Sequence, residues 1–282
     1  MPIDVRTAHL IDLALEEDAG LGDVTSRAIF PAKHHSRAVI GAKQDIVLCG
    51  LEVAAAVFAR VEPTLKVKLL AADGDRVKKD AAVLRVEGPT IALLTAERTA
   101  LNFLQRLSGI ATQARRYADA VRGTGVRIVD TRKTTPAYRA LEKYAVRCGG
   151  CFNHRSSLGE HVLIKDNHIA AAGSLRKAVR LCQAAAPHGS KIEVEAGSLA
   201  EVREAVRAGA GIILLDNMTP AGVRAAVQAI AGRAVVEVSG GVKFGTLRDY
   251  AMPGVDVISI GALTHSAVAV DLSLEVSPVG KR

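Results

Sequence analysis

From about Val126 onward, short β-branched runs alternate with Ala- and Arg-rich segments of helical period. The runs are VRIVDTRK (126–133), HVLIKDNH (161–168), KIEVEAG (191–197), GIILLDN (211–217), AVVEVSGG (234–241) and VDVISIG (255–261). Between the later runs, SLAEVREAVRAGA and TPAGVRAAVQAIAG space their apolar residues as a helix does and finish at Gly, a common C-terminal stop. A strand–helix repeat of this kind demands parallel strands covered by helices. Two architectures satisfy it, an α/β barrel and a doubly wound open sheet.

The position of the polar residues separates them. Each run ends in polar residues or Gly: Asp130, Arg132 and Lys133; Lys165 and Asp166; Glu193 and Glu195; Asp216 and Asn217; Glu237 and Ser239; Ser259 and Gly261. An open sheet concentrates its ligand groups at one switch point, whereas a barrel collects them from the rim of every strand. The barrel is therefore expected. No G-x-G-x-x-G opens any of these helices, which argues further against dinucleotide binding.

The first hundred residues read differently. An amphipathic helix at about Thr7 to Glu17 precedes the alternating segments SRAVIGAKQ, LKVKLLAADGDRV and AVLRVEG, with an Asp-Gly turn at Asp73 and Gly74. This is the pattern of a small α+β domain. LTAERTALNFLQRLSG then reads as a helix with Leu101, Leu104 and Leu107 inward, stopped by Gly109 and linking two domains. The expected division is residues 1–108 for the first domain and 109–265 for the barrel, with the alternating tail 266–282 returning to the first.

A formal charge of +8 calls for an acidic partner, and its distribution says which kind. Lys and Arg are dispersed, Trp is absent and aromatics are 3% of the chain, so nucleic acid is not the expected partner. The N-terminus has no apolar signal core and no run approaches membrane-spanning length, which leads to a cytoplasmic expectation with no membrane partner. Four cysteines are too few for a disulfide framework. Cys148 and Cys151 form a lone C-x-x-C with no second pair to complete a zinc site, and read as a turn that carries two thiols.

In VLIKDNHI (162–169) the apolar half is barrel wall and the polar half rim, where barrel active sites sit. Lys165 there is either a Schiff-base nucleophile or a fixed positive charge. Thr135 and Pro136 make an N-cap and first-turn pair, which sets Arg132 and Lys133 between a strand end and a helix start. With His154, Arg155, Lys165 and His168 they form a dense cationic rim, better suited to carboxylates and phosphates than to imine chemistry. Glu195 and Asp216 are single carboxylates at successive strand ends, a supply that matches Mg²⁺ held together with substrate phosphates. SGGVKFG and SIGALTHS place small residues where backbone N–H groups can close on a phosphate. Glu193 and Glu237 read as partners for nearby cations, while His9, His34, His35, His161 and His188 have no partner at useful spacing.

EDAGLGDVTS, AERTALNFLQRLSGIAT, DTRKTTP, LEKYAVRCGG, NHR, LIKDNHI, EVEAGS, LLDNM, EVSGG and ISIGALTHS, in that order, resemble the quinolinate phosphoribosyltransferase family, also called nicotinate-nucleotide pyrophosphorylase (carboxylating). The resemblance covers nearly the whole chain. It implies an N-terminal α+β sandwich domain, an incomplete, roughly seven-stranded α/β barrel, and a homodimer. The implied reaction joins quinolinate to 5-phosphoribosyl 1-pyrophosphate with Mg²⁺, releasing pyrophosphate and CO₂ and giving nicotinate mononucleotide for NAD biosynthesis.

Carried onto matching positions, Arg132, Lys133, His154, Arg155 and Lys165 line the pocket for carboxylates and phosphates, and Arg98 reaches in from the neighbouring subunit. Glu195 and Asp216 face the ribose and its metal, and Ser239, Gly240 and Gly261 hold the 5-phosphate. Lys133, Lys165, Glu195 and Asp216 form the implied catalytic set. The chain departs from the family pattern at Cys151, usually Gly, and at Ser156 and Ser157, usually an apolar residue and Gly. Competing readings are a molybdenum-uptake protein of the same fold, a Schiff-base aldolase using Lys165, and a nucleic-acid-binding barrel.

Overall fold

The computed structural model describes residues 3–278. Of these, residues 3–115, Thr135–Gly150 and residues 266–278 form one compact unit, and Arg116–Thr134 with Cys151–His265 form a second.

The first unit is built on an antiparallel sheet. The unit's strands are β1 (His35–Ala42), β2 (Ile46–Val47), β3 (Lys66–Leu69), β4 (Arg76–Val77) and β5 (Ala82–Pro89), of which β2 and β4 form a small sheet of their own. β1 is central: β5 lies on one side, with β3 beyond it, and the C-terminal strand Leu272–Pro278 lies on the other. Ser36, Ala38, Ile40 and Ala42 alternate along β1 and are all buried, the period-2 signature of a sheet with one face on a core. Asp4 caps the helix Val5–Ala19 by accepting from the Thr7 amide at 2.7 Å.

Three expectations change here. The Asp73–Gly74 turn forms, but its flanking strands do not pair with each other: β3 joins β5, and β4 joins β2. Asp73 Oδ1 instead accepts from the Gly50 and Leu51 amides at 3.0 and 3.1 Å, capping the helix Leu51–Val61. Gly109 does not stop its helix, which runs Thr90–Ala120 with Leu101, Leu104 and Leu107 buried as expected. A Cβ at position 109 would collide with the Val268 carbonyl, so this Gly serves close backbone approach rather than termination. Finally, Thr135–Gly150, expected in the barrel, packs with the first unit. There Arg106 Nη2 meets the fully buried Glu142 Oε1 at 2.7 Å, and Leu141, Ala145 and Val146 enter the core.

The second unit holds β6 (Arg127–Val129), β7 (Val162–Ile164), β8 (Ile192–Ala196), β9 (Ile212–Asp216), β10 (Val235–Ser239) and β11 (Val257–Ser259). All are parallel, in the order β6-β11-β10-β9-β8-β7. The first strand in sequence pairs with the last and the others descend in turn, which is barrel order; a doubly wound sheet would reverse at its middle. Val129 also bridges to Phe152 in parallel. The roughly seven-stranded barrel thus has six paired strands, with the seventh reduced to a single bridge. Between Phe152 and β7 the wall is spanned by a side chain, where Arg155 Nη1 donates to the His161 carbonyl at 3.1 Å.

Helix starts follow local chemistry. Ser174, Ser198 and Thr219 accept from the amides of Lys177, Glu201 and Gly222, and Glu201 returns a bond to the Ser198 amide at 3.1 Å. Thr135, in contrast, is not an N-cap. Ala137 has φ +62°, the helix starts at Arg139, and Thr135 bonds the Glu142 carboxylate through both its amide and its hydroxyl.

Candidate active site

Side chains on alternate strand residues point inward, so Leu163, Lys165, Glu195, Leu214, Asp216, Glu237, Ser239 and Ser259 line one cavity of about 490 Å³. Arg132 and Lys133 reach it from the loop after β6, His154 and Arg155 from the stretch after Phe152, and Gly240 and Gly241 from the loop after β10. Five of the expected rim cations, Arg132, Lys133, His154, Arg155 and Lys165, therefore come together around a single concavity. Gly261 stands beside Lys133: a Cβ there would lie 3.0 Å from Lys133 Cδ, and Thr264 Oγ1 donates to the Lys133 carbonyl at 2.7 Å. The missing side chain gives Lys133 room to lie across the end of β11.

Arg98 is exposed on the helix Thr90–Ala120 and does not line this cavity. His168 does not line it either. It sits in the first turn of the helix Asp166–Ala172, and its Nδ1 accepts from the Lys165 amide at 2.9 Å. The polar half of VLIKDNHI is thus one rim lysine followed by a helix start.

Lys165 Nζ lies 3.2 Å from Glu195 Oε2, with the lysine side chain about half exposed. That is a fixed, paired cation, whereas an imine-forming lysine needs an amine in an apolar niche. Asp216 Oδ2 accepts from Asn217 Nδ2 at 2.8 Å, and Asn217 takes φ +52° to turn the chain at the end of β9.

Below the rim lies a polar layer. His154 Nε2 is 3.4 Å from both Glu193 Oε1 and Glu237 Oε1, and His161 Nε2 is 2.8 Å from Glu193 Oε2. Both carboxylates are almost wholly buried. Burial opposes the charge on His154, yet Glu193 and Glu237 outweigh it and push the imidazole up to about 9. The Arg155 amide donates to His154 Nδ1 at 2.8 Å, so the proton facing the carboxylates is the one on Nε2, and the second proton that the carboxylates favour has to displace this amide bond. Glu193 is held below its ordinary range because the neighbouring His154 and His161 rings outweigh burial. Asp130, fully buried, fixes the strand end by accepting from Asn153 Nδ2 at 2.5 Å and the His154 amide at 2.9 Å. Burial, aided by the Arg132 charge, lowers Arg155.

Glu193 and Glu237 find side-chain partners as expected, but the partners are histidine rings, and His161 does have a partner. The signal lay in the pattern Glu-x-Glu at 193–195 and Glu-x-Ser at 237–239. An acid two residues before a rim residue shares its inward face and lies one layer deeper.

This architecture and cavity define an α/β-barrel protein whose cationic C-terminal rim suits a small polyanion. The chain belongs to the quinolinate phosphoribosyl transferase family: the model of its C-terminal domain matches residues 110–275 and that of its N-terminal domain residues 23–108. The chain is 41% identical to a probable nicotinate-nucleotide pyrophosphorylase [carboxylating] of Bacillus subtilis, covering 93% of this chain and 90% of the relative. It is also 41% identical to a mitochondrial quinolinate phosphoribosyltransferase [decarboxylating] of Nicotiana tabacum, over 95% of this chain and 81% of that one. Among solved structures, NadC from Streptococcus pyogenes matches with a TM-score of 0.92 at 40% identity, covering 96% of both chains. These names favour the quinolinate reading over the molybdenum-uptake and aldolase readings.

Proposed function

We propose that this protein transfers phosphoribosyl from 5-phosphoribosyl 1-pyrophosphate to quinolinate with loss of CO₂, giving nicotinate mononucleotide and pyrophosphate in NAD biosynthesis. The observation that carries the reading is the convergence of Arg132, Lys133, His154, Arg155 and Lys165 on one cavity that the buried carboxylate of Glu237 also lines. Two substrates bearing carboxylates, phosphate and pyrophosphate need several directional cations, which guanidinium forks and fixed ammonium groups supply.

The cations hold the pyridine dicarboxylate with its ring nitrogen in line with the anomeric carbon as pyrophosphate departs. Nitrogen donates its lone pair to that carbon, and the C–O bond to pyrophosphate breaks. The ring nitrogen is then cationic. When the adjacent carboxylate leaves as CO₂, the electron pair left on the ring carbon is stabilised by that charge until a proton replaces it. Fixed charges facing the developing anions do most of this work, because they need no reorganisation as the reaction proceeds. Ser239, Gly240 and Gly261 offer a small-residue cradle for the 5-phosphate. Glu195, held by Lys165, faces the ribose.

Asp216 and Glu195 are hard oxygen donors on adjacent strands of the same cavity, a donor set that fits Mg²⁺ completed by substrate oxygens. Bound there, Mg²⁺ would neutralise charge on the pyrophosphate. The reading includes a homodimer in which exposed Arg98 completes the partner's site, and a cytoplasmic location; among the described residues no helix is long and apolar enough to cross a membrane. The test is a product assay with quinolinate and phosphoribosyl pyrophosphate. Nicotinate mononucleotide and CO₂ in equal amounts are expected; no turnover by folded protein supplied with Mg²⁺ would refute the proposal.

A further inference from the structure

A second cluster of ligating side chains lies in the first unit. Cys49 follows β2 and is fully buried, its amide and carbonyl both bound to the Ser108 hydroxyl, at 2.9 and 3.1 Å. Cys148 ends the helix Arg139–Cys148, and Asp73 sits in the turn before β4. Both are half-buried, and neither cysteine is in a disulfide. The two Sγ atoms and a carboxylate oxygen of Asp73 all lie within 4.8 Å of one another. The thiol that sequence pairs with Cys148 is Cys151; the thiol that the fold pairs with it is Cys49.

We propose that Cys49, Asp73 and Cys148 form a binding site for a thiophilic divalent cation, Zn²⁺ in the first instance. Tetrahedral zinc with sulfur at about 2.3 Å and oxygen at about 2.1 Å sets its ligands roughly 3.5–3.8 Å apart, so the donors need to move by about an ångström. The surroundings are those of a supported ligand set. Asp73 Oδ1 already accepts two amides, and Oδ2 accepts from the Tyr144 hydroxyl at 2.9 Å, which orients the carboxylate as outer-shell partners do. Tyr144 precedes Cys148 by four residues, so one helix face supplies both the ligand and the group that steers Asp73.

The charges also favour a cation over an oxidation. The fold sets the Asp73 carboxylate beside both thiols. A disulfide has no use for that carboxylate, while a dication draws on all three groups and releases the remaining thiol protons. Such an ion would tie together three stretches distant in sequence, at 49, 73 and 148, and its soft donors distinguish it from the hard oxygen donors of the barrel cavity.

Full-length protein, reduced with a phosphine and stripped by a chelator, is titrated with Zn²⁺ against a chromophoric chelator and separately with Co²⁺ in a spectrophotometer. The expected result is a thiolate-dependent equivalent of Zn²⁺ per chain, weakened at least about tenfold in Cys49→Ser, Cys148→Ser and Asp73→Asn. Co²⁺ should give a thiolate charge-transfer band that is absent in Cys148→Ser. The band separates this cluster from His154, His161 and Glu193, which offer no sulfur. If Cys49→Ser does not fold, the wild-type Co²⁺ spectrum and the half-exposed Cys148 variant still decide. No charge-transfer band, or Zn²⁺ affinity unchanged in Cys148→Ser, overturns the proposal. So does an oxidised protein that forms a Cys49–Cys148 disulfide while the reduced protein binds Zn²⁺ no better than the serine variants.

Discussion

Gly240 and Gly241 allow the cavity geometry to be tested quantitatively, because they are neighbours with different surroundings. Gly240 has φ +83° and Gly241 φ +64°, so Ala at either position meets a left-handed backbone, at about 1 kcal/mol. A Cβ at 241 would stand an unstrained 3.8 Å from Asn217 Oδ1. At 240 it would meet Asn217 Oδ1 and lie 2.6 Å from Asn217 Cγ and 2.9 Å from its amide nitrogen. Asn217 cannot swing away cheaply. Its amide is bound to the Ser239 carbonyl at 2.9 Å and its side chain to Asp216 at 2.8 Å. Overpacking of this kind adds about 1–3 kcal/mol, so Gly240→Ala should cost about 2–4 kcal/mol against about 1 for Gly241→Ala. For a chain of this size each kcal/mol lowers Tm by roughly 2–4 °C, which predicts a drop of about 4–16 °C for the first and a few degrees for the second. Relief of the clash displaces Asn217 and, with it, Asp216 at the rim, so the KM for phosphoribosyl pyrophosphate should rise in Gly240→Ala more than in Gly241→Ala. Thermal melts and steady-state kinetics on both variants check this. Equal melting temperatures for the two would refute the steric reasoning.

Arg132→Ala and Lys165→Ala should each lower kcat/KM by on the order of 10²-fold or more with little change in Tm, since rim charges act on ligands rather than on the core; near-wild-type turnover would remove that residue from the site. Asp216→Asn should shift the Mg²⁺ titration of activity to higher concentration, because a neutral ligand holds a hard cation less well, and an unmoved titration would count against Asp216 as a metal contact. Arg98→Ala and Lys165→Ala, each inactive alone, should on subunit exchange give mixed dimers that each have roughly half of a wild-type dimer's activity, since an isologous pair then contains one intact site; no recovery despite proven exchange excludes sharing. With its pKa pushed up to about 9, His154 is cationic below that pH and neutral above it, so anion affinity should fall as pH rises through 9. Glu237→Gln should bring that fall to lower pH, as read from ¹⁵N-histidine NMR, and a titration unmoved by both Glu237→Gln and Glu193→Gln would show that the carboxylates do not set it.

What could be read from the chain depended on whether a feature was local. The six barrel strands were legible because β-branched runs ending in polar residues repeat with Ser or Thr caps between them. Phe152 was not, because a strand reduced to one bridge leaves no periodicity. Gly109 looks like a helix stop in sequence, and only the Val268 backbone arriving from far along the chain explains why it is glycine. Asp73 reads as a turn residue, and its second task, capping the helix at Leu51, depends on a contact across 22 residues. The rim cations were visible as residue types at strand ends. The layer beneath them was half visible: Glu193 and Glu237 were seen to need cations, but His161 lies 32 residues from Glu193, beyond any local spacing.

The pairing of β1 with the strand Leu272–Pro278 fixes a time as well as a place. Ser36 meets Pro278 and Ala42 meets Leu272 across the register, so the two strands are separated by roughly 230 residues of synthesis. At about 5–20 residues per second, β1 leaves the ribosome some ten to fifty seconds before its partner exists. During that interval β5 and β3 can join it on one side, while the other side remains an open row of amides and carbonyls. An edge of that kind is a template for any extended chain nearby. His35, Arg37 and the alternation of small buried residues along β1 leave it only modestly protected, so nascent copies on one messenger are each other's nearest hazard until the last strand is made.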